Sequence, residues 1–338
     1  MLSSILLKCK KSVFLVIMRS TDFLPLKKGV LLMDKNQRFA EYYLEWIHMY
    51  KEGSVRQVTM DKYYLTHREL LKRWPTIKVS EINHYNYQKL INDYAENHEY
   101  LTVKGFHHHC KAAIVDALED GLLSKDPTRH LVLKGKSPKK KKVKYLSFLD
   151  LKRLINQLNL TDTLNIDWLI FLMAKTGMRY AEALGITPND FDFENYQLQI
   201  NKTWNYKSRI GKFQPTKNKS SNRTISLDPI TSEQFEKLVK KLDPEKPIFI
   251  QNRRVYTSTV NNHLDKYCKK AGIEVISVHG LRHTHASLLL YDGVSIPSVA
   301  KQLGHANTIT TQQTYVHIVK ELADKDNQKI MENMIRLS

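Results

Sequence analysis

The side chains best equipped for chemistry lie late in the chain, in the stretch Ser277 to His317, SVHGLRHTHASLLLYDGVSIPSVAKQLGHANTITTQQTYVH. It spaces His279-x-x-Arg282, then Leu303-Gly304-His305, then Tyr315. A packed core requires none of these, whereas a phenol, a base and a guanidinium together are the equipment for attack on phosphorus. A tyrosine of pKa near ~10 is only about one part in a thousand ionised at pH 7, a deficit of roughly 4 kcal/mol. It needs a base close by, and neutral His279 is the candidate. Attack loads negative charge onto two non-bridging phosphate oxygens. Arg282, with Arg179 far upstream, offers planar forks able to hold both, each such donor typically giving about 10²- to 10³-fold in rate. Lysine would match that geometry poorly. His283 and His285 in the same stretch are read as helix-face residues. Any one of these residues alone is more often structural; together they leave little room for coincidence.

Upstream, Thr-Gly-Met-Arg179-Tyr-Ala-Glu182 and a polar turn carrying Lys217 complete an ordered series: Arg179, Lys217, His279-x-x-Arg282, His305, Tyr315. In that order, and in the contexts His279-Gly-Leu-Arg282-His-Thr-His-Ala-Ser, Leu-Gly304-His305 and Thr-x-x-x-Tyr315, the chain resembles the tyrosine recombinases, or phage integrases, over roughly Ser147 to Lys320. The resemblance implies a mainly α fold with a small antiparallel β-sheet, an N-terminal helical core-binding domain and a C-terminal catalytic domain. It implies Tyr315 as a nucleophile forming a 3′-phosphotyrosine joint, with Arg179, Lys217, His279, Arg282 and His305 as its catalytic partners. Lys217 would protonate the leaving 5′-oxygen, His305 would hold the scissile phosphate, and Glu182 would orient its neighbours without touching DNA. The joint keeps the bond energy, so neither ATP, metal nor any other cofactor is implied. The implied partners are double-stranded DNA, a homotetramer of this chain on DNA, and accessory DNA-bending or excision factors. Integration or excision of a phage or mobile element is the leading reading. A chromosome-dimer resolvase of the same family, a type IB topoisomerase and a non-enzymatic DNA-binding regulator are the alternatives.

Composition agrees with a polyanionic partner. Fifty-three Lys+Arg against 34 Asp+Glu leave a formal charge of +19 over 338 residues, which bears on association rather than fold. That length is enough for two domains, each with its own core. Cys9, Cys110 and Cys268 are scattered and odd in number, with no Cys-x-x-Cys pair, which argues against a disulfide framework or thiolate zinc site and suits a reducing cytoplasm. Val13 to Met18 is far too short to span a bilayer. Residues 1–35 are an uncertain N-terminal segment, since Met33-Asp34-Lys35 would make a sensible native start, and they are too few for the extra arm-binding domain that integrases of this family often carry.

The elements that must position these groups are mostly helical. Phe39, Tyr43, Trp46, Ile47 and Tyr50 line one face; Tyr63, His67, Leu70, Leu71 and Trp74, then Tyr87, Leu90, Ile91 and Tyr94, then Val103 to Leu118, repeat the pattern. Four amphipathic helices over residues 36–130 make a small all-α domain, closed by Asp126-Pro127. His107, His108 and His109 cannot converge on a metal, because consecutive helical residues point about a hundred degrees apart. Residues 131–145 read as a basic linker whose Lys139, Lys140, Lys141, Lys142 and Lys144 could strap a DNA backbone. The catalytic domain, 146–320, opens with the capping box Ser147-x-x-Asp150 and runs through a buried helix from Trp168. Tyr196 to Thr203 is a strand candidate; Gly211 to Lys217 and Asn222 to Leu227 read as a hairpin around the Lys217 turn. Beyond Tyr315, Leu322, Ile330 and Met334 form a loose stripe, and the resemblance implies that residues 321–338 dock on a neighbouring protomer.

Overall fold

Aromatic side chains at three- and four-residue spacing build the first of two units. The computed structural model describes residues 34–137, 145–208, 210–250, 254–315, 331 and 334–336, and the chain divides into Met1–Lys139 and Lys140–Ser338. In the first unit, α1 (Phe39–Tyr50), α2 (Gln57–Arg73), α3 (His84–Ala95) and α4 (Tyr100–Glu119) bury Phe39, Tyr43, Trp46, Leu70, Tyr87, Ile91, Phe106, Cys110 and Ile114. Fully burying such a side chain contributes about 1.5–3 kcal/mol. Leu71, inward by spacing, is exposed instead. Two polar tips in this core find partners: the Tyr42 hydroxyl donates to the Ala113 carbonyl, and Trp46 Nε1 donates to Asp116 Oδ2 at 2.5 Å. His107 meets the Tyr87 hydroxyl at 2.9 Å and His109 meets Thr66 Oγ1 at 3.2 Å, so the consecutive histidines do diverge.

The second unit is organised around α6 (Ile166–Thr176), buried at nearly every position. Asn165 caps its start by accepting from the Asp167 and Trp168 amides, and Gly177 ends it at φ +64°, a conformation costly for any residue with a Cβ. Before it lies α5 (Phe148–Ile155), where Ser147 accepts from the Asp150 amide as its capping box requires. After it come α7 (Tyr180–Ala183), β1 (Phe191–Asp192), β2 (Gln197–Ile200), β3 (Lys202–Trp204), β4 (Phe213–Pro215), β5 (Arg223–Ser226), α8 (Pro229–Val239), α9 (Thr257–Lys270), α10 (Val278–Tyr291), α11 (Ile296–Leu303) and α12 (Thr308–Thr314). The core gathers α6, the inward residues of β2 and β5, Phe235 of α8, Val260 and Leu264 of α9, and Leu281 of α10.

The strands pair differently from the hairpin read in the sequence. A three-stranded antiparallel sheet runs β1-β2-β5, with Leu198 opposite Ile225, and a separate two-stranded sheet pairs β3 with β4, Trp204 opposite Phe213. Tyr196 to Thr203 therefore splits between two sheets, and Gly211 to Lys217 pairs with β3 rather than with Asn222 to Leu227. The physical reason lies in burial: β4 exposes all three residues, whereas β5 turns Arg223 and Ile225 inward, so β5 joins β2 and its buried Leu198 and Ile200. The segment 216–222, which carries Lys217, bridges the two sheets.

Residues 1–33, the strap lysines Lys139, Lys140, Lys141, Lys142 and Lys144, and residues 316–330 lie outside the described residues. Among the described residues no helix is long and apolar enough to cross a membrane.

Candidate active site

Three helix C-termini and two helix N-termini meet where the reactive side chains gather. Helix α10 starts at Ser277, whose hydroxyl accepts from the Gly280 amide, and its 3.6-residue period puts His279, Arg282 and His283 on one face. Arg282 is 3% exposed. It donates through Nη1 to the Gly177 carbonyl at 2.9 Å and through Nη2 to the Leu303 carbonyl at 2.7 Å. Those carbonyls terminate α6 and α11, and both helices are closed by a left-handed glycine, Gly177 and Gly304. Carbonyl-rich helix ends carry partial negative charge, so a buried guanidinium finds there part of what it lost from water. Burial first, then repulsion from Arg179, lowers the Arg282 pKa to about 9, which leaves it cationic at neutral pH.

Arg179 stands at the N-cap of α7. Its Nη2 donates to the Gly304 carbonyl at 3.1 Å, and its Nη1 donates to Glu182 Oε1 at 2.7 Å and to Ser221 Oγ at 3.2 Å. Glu182, 1% exposed, also accepts from the Arg179 amide and, at 3.0 Å, from Arg223 Nη2. Burial alone would raise the Glu182 pKa; Arg223 and Arg179 outweigh it and hold the carboxyl below its usual value. Arg223 then reaches across β5 to the Gln302 carbonyl through Nε at 2.7 Å and to the Ser221 carbonyl through Nη1 at 2.9 Å. One carboxylate and one buried arginine thus tie α7, the end of α11 and the segment before β5 together. Lys217 sits exposed on that same segment.

The turn after α11 admits little variation. Gly304 adopts φ +65°, and a Cβ there would lie 2.8 Å from Arg223 Nη1 and 3.0 Å from Ser221 Cα. It presents His305, whose Nδ1 pairs with Thr311 Oγ1 at 2.7 Å. Burial, then the charges of Arg282, Arg179 and Arg223, pull the His305 pKa to about 4. His279 keeps an exposed edge, yet desolvation on its inner side and repulsion from Arg282 and Arg179 lower its pKa as well. Both imidazoles are neutral at pH 7. Tyr315 caps the end of α12, is 2% exposed and packs with Ala286, Leu290, Val299 and Leu303. Burial pushes its pKa up to about 12 against the pull of Arg282.

Arg179, Glu182, Arg282, His305 and Tyr315 are therefore drawn into one neighbourhood, with His279 at its rim and Lys217 on the adjoining loop. Three further participants do not stand out in the sequence. His283, a helix-face residue by spacing, has its Nδ1 3.0 Å from the Tyr315 hydroxyl. His285, read likewise, is half-buried, and a Cβ on Gly177 would lie 2.5 Å from its Cδ2. Arg223 is nearly fully buried among the carbonyls just described. Signals for two of them do exist: His283 is four residues from His279 on the same helix face, and Arg223 is two residues from inward-facing Ile225.

Residues 144–321 match the model of the Phage integrase family. Along most of its length the chain is similar to the integrase of Staphylococcus phage L54a, 23% identical over 86% of this chain and 91% of that protein. It is similar also to a XerC-like tyrosine recombinase of Caldanaerobacter subterraneus subsp. tengcongensis, 24% identical over 81% of this chain and 78% of the other. In fold it resembles the Tn1549 transposon integrase solved with transposon right end DNA, with a TM-score of 0.73 at 18% identity over 87% of this chain and all of that one. A lambda integrase tetramer solved on a Holliday junction gives a TM-score of 0.59 at 16% identity, covering 82% of this chain and 78% of that one.

Proposed function

Since this chain belongs to the phage integrase family and is thereby a site-specific DNA recombinase, we propose that Tyr315 cuts one DNA strand and remains joined to its 3′-phosphate until a second 5′-hydroxyl displaces it. The observation that carries this reading is the convergence of Arg179 and Arg282 on the Leu303 and Gly304 carbonyls, at the turn that presents His305 and one short helix ahead of Tyr315. Two guanidinium forks anchored at one turn suit the two non-bridging oxygens of a phosphodiester, where such preorganised donors act most strongly. His305, held through Nδ1, offers its other nitrogen to the same phosphate. The phenolic proton leaves to a neutral imidazole on the face of α10, and Lys217 swings from its exposed segment to protonate the departing 5′-oxygen. Glu182 touches no DNA; it fixes the two arginines beside it. The 3′-phosphotyrosine joint stores the energy of the broken bond, so rejoining requires neither ATP nor a metal.

The wider assembly follows from the same reading. Residues 36–130 bind the core site, residues 131–145 lay Lys139, Lys140, Lys141, Lys142 and Lys144 along the DNA backbone, and residues 146–320 do the chemistry. Residues 321–338 dock on the next protomer of a homotetramer on DNA, and accessory bending or excision factors set direction. The substrates are the ends of a phage or mobile element, recombined in the cytoplasm. Similarity to a XerC-like recombinase favours chromosome-dimer resolution as the second reading, with identical chemistry and a different DNA site.

The test is a nicked half-site DNA, incubated with the full chain and resolved on a denaturing gel. A covalent protein–DNA band that disappears with Tyr315→Phe is the expected result. A band that survives Tyr315→Phe moves the nucleophile elsewhere; tight binding with no band from the unaltered chain favours a DNA-binding regulator.

A further inference from the structure

Resting on that reading, we propose that His283, rather than His279, is the group that takes the proton from Tyr315, and that His279 instead serves the phosphate. The geometry divides the two imidazoles. His283 Nδ1 lies 3.0 Å from the Tyr315 hydroxyl, within the reach a proton transfer demands. His279 stands one helical turn earlier, with its ring edge-to-face against His283 at 4.8 Å between centroids. Its charged neighbours are Arg282 and Arg179, the two forks assigned to the phosphate oxygens. His279 is therefore beside the anion's seat and His283 is between it and the phenol. Another titratable group close to His283 is His305, from the turn between α11 and α12, whose own pKa His283 helps to depress.

A buried phenol whose pKa is pushed up to about 12 cannot ionise ahead of reaction at neutral pH. Its proton must leave as the new bond forms, and the acceptor must already be in place. Tyr315 Oη forms its bond to phosphorus while the bond from phosphorus to the 5′-oxygen breaks. The phenolic proton passes to His283 Nδ1, and Lys217 supplies the proton that the 5′-oxygen takes. In rejoining, an incoming 5′-hydroxyl expels the tyrosinate, which recovers its proton from His283, while the proton of that hydroxyl returns to Lys217. His279, uncharged and with an exposed edge, donates a hydrogen bond to a non-bridging oxygen throughout.

His283→Asn separates holding from proton transfer. Its amide oxygen falls close to the position of Nδ1, so it can accept a hydrogen bond from the phenol but cannot take the proton. Single-turnover cleavage of half-site DNA by this variant should fall roughly 10²- to 10⁴-fold, the usual contribution of a general base, while DNA binding and melting temperature stay at the level of the unaltered chain. Replacing Tyr315 with 3,5-difluorotyrosine, whose phenol is much more acidic, should restore most of that loss. His279→Gln should also be slow, yet gain nothing from the fluorinated residue. The inference is overturned if His283→Asn cleaves as fast as the unaltered chain, if difluorotyrosine fails to restore it, or if rescue appears in His279→Gln instead. Should Asn misplace the helix, His283→Ala replaces it, and the fluorinated residue should restore that variant in the same way. An unaltered chain that binds DNA without forming any adduct overturns the recombinase reading itself, and this inference with it.

Discussion

Glu182→Gln is the substitution whose consequences the structure fixes most closely. The carboxylate is 1% exposed and bonded to Arg179 at 2.7 Å and to Arg223 at 3.0 Å, the latter side chain 4% exposed. At such burial the discount for surface screening does not apply. Removing one member of a buried ion pair leaves an uncompensated charge and costs about 3–5 kcal/mol. For a unit of this size each kcal/mol lowers the melting temperature by roughly 2–4 °C, so the shift should be about 6–20 °C. Arg223→Gln should cost less, because Glu182 keeps Arg179 as a counterion. The double variant should cost clearly less than the sum of the two, since the second change removes the charge stranded by the first. Differential scanning calorimetry of the full chain reads all three numbers. Cleavage supplies an independent check: Arg179 loses the partner that aims its guanidinium, and a misplacement of about 1 Å typically costs ~10²-fold in rate. Additive losses, or a Glu182→Gln chain that melts and cleaves normally, would refute the hub.

Two further outcomes test the surroundings of that hub. Gly304→Ala forces a Cβ into the φ +65° turn, 2.8 Å from Arg223 Nη1; strain of about 1–3 kcal/mol should leave the chain folded, while single-turnover cleavage drops much further because the Gly304 carbonyl and His305 shift together. Acid should destabilise the second unit early: His285 and His305 have pKa values near 4 in the fold against a usual 6.5, so the unfolded chain binds more protons between those limits. Their contribution is intact above about pH 6.5 and is lost as the pH falls toward 4, by on the order of 1–3 kcal/mol in sum after allowance for partial exposure. Melting temperatures measured at pH 7 and pH 5 should separate accordingly; equal values would show these imidazoles to be solvated.

Local periodicity makes the helices legible, and it is also where their legibility stops. Trp46 and Tyr43 announce α1 because a helix that buries aromatics must repeat them every three or four residues. Arg179, His279, Arg282, His305 and Tyr315 stand out because their order and contexts recur across a family. Arg223 carries no such flag: an arginine amid Asn222-Arg223-Thr224 looks solvated until Ile225 and Leu227 are noticed on its face. The partners that make its burial tolerable, Glu182 and the Gln302 carbonyl, lie 41 and 79 residues away. The strand pairing is hidden for the same reason. Strands of three or four residues have too few alternations to declare a partner, and the choice between β3 and β5 for β4 turns on burial that only the assembled core defines. His283 escapes notice because His279 and Arg282 already fill the familiar spacing, although the helix places all three on one side.

The charge balance of this neighbourhood explains why it is built as it is. Arg179, Arg223 and Arg282 crowd together, and among the described residues Glu182 is the only carboxylate bonded to any of them. Their other hydrogen bonds go to Ser221 Oγ and to main-chain carbonyls of Gly177, Ser221, Gln302, Leu303 and Gly304. Carbonyls satisfy hydrogen bonds while offsetting only part of the charge, so the site retains a positive field suited to an anion. Burial first, and that field with it, keeps His279 and His305 neutral, which is the state in which an imidazole can accept a proton or donate a bond without adding repulsion. It also draws the Tyr315 pKa down against burial. A second carboxylate would discharge the site; the single glutamate holds the arginines in place while leaving the rest of their charge for the phosphate proposed to bind there.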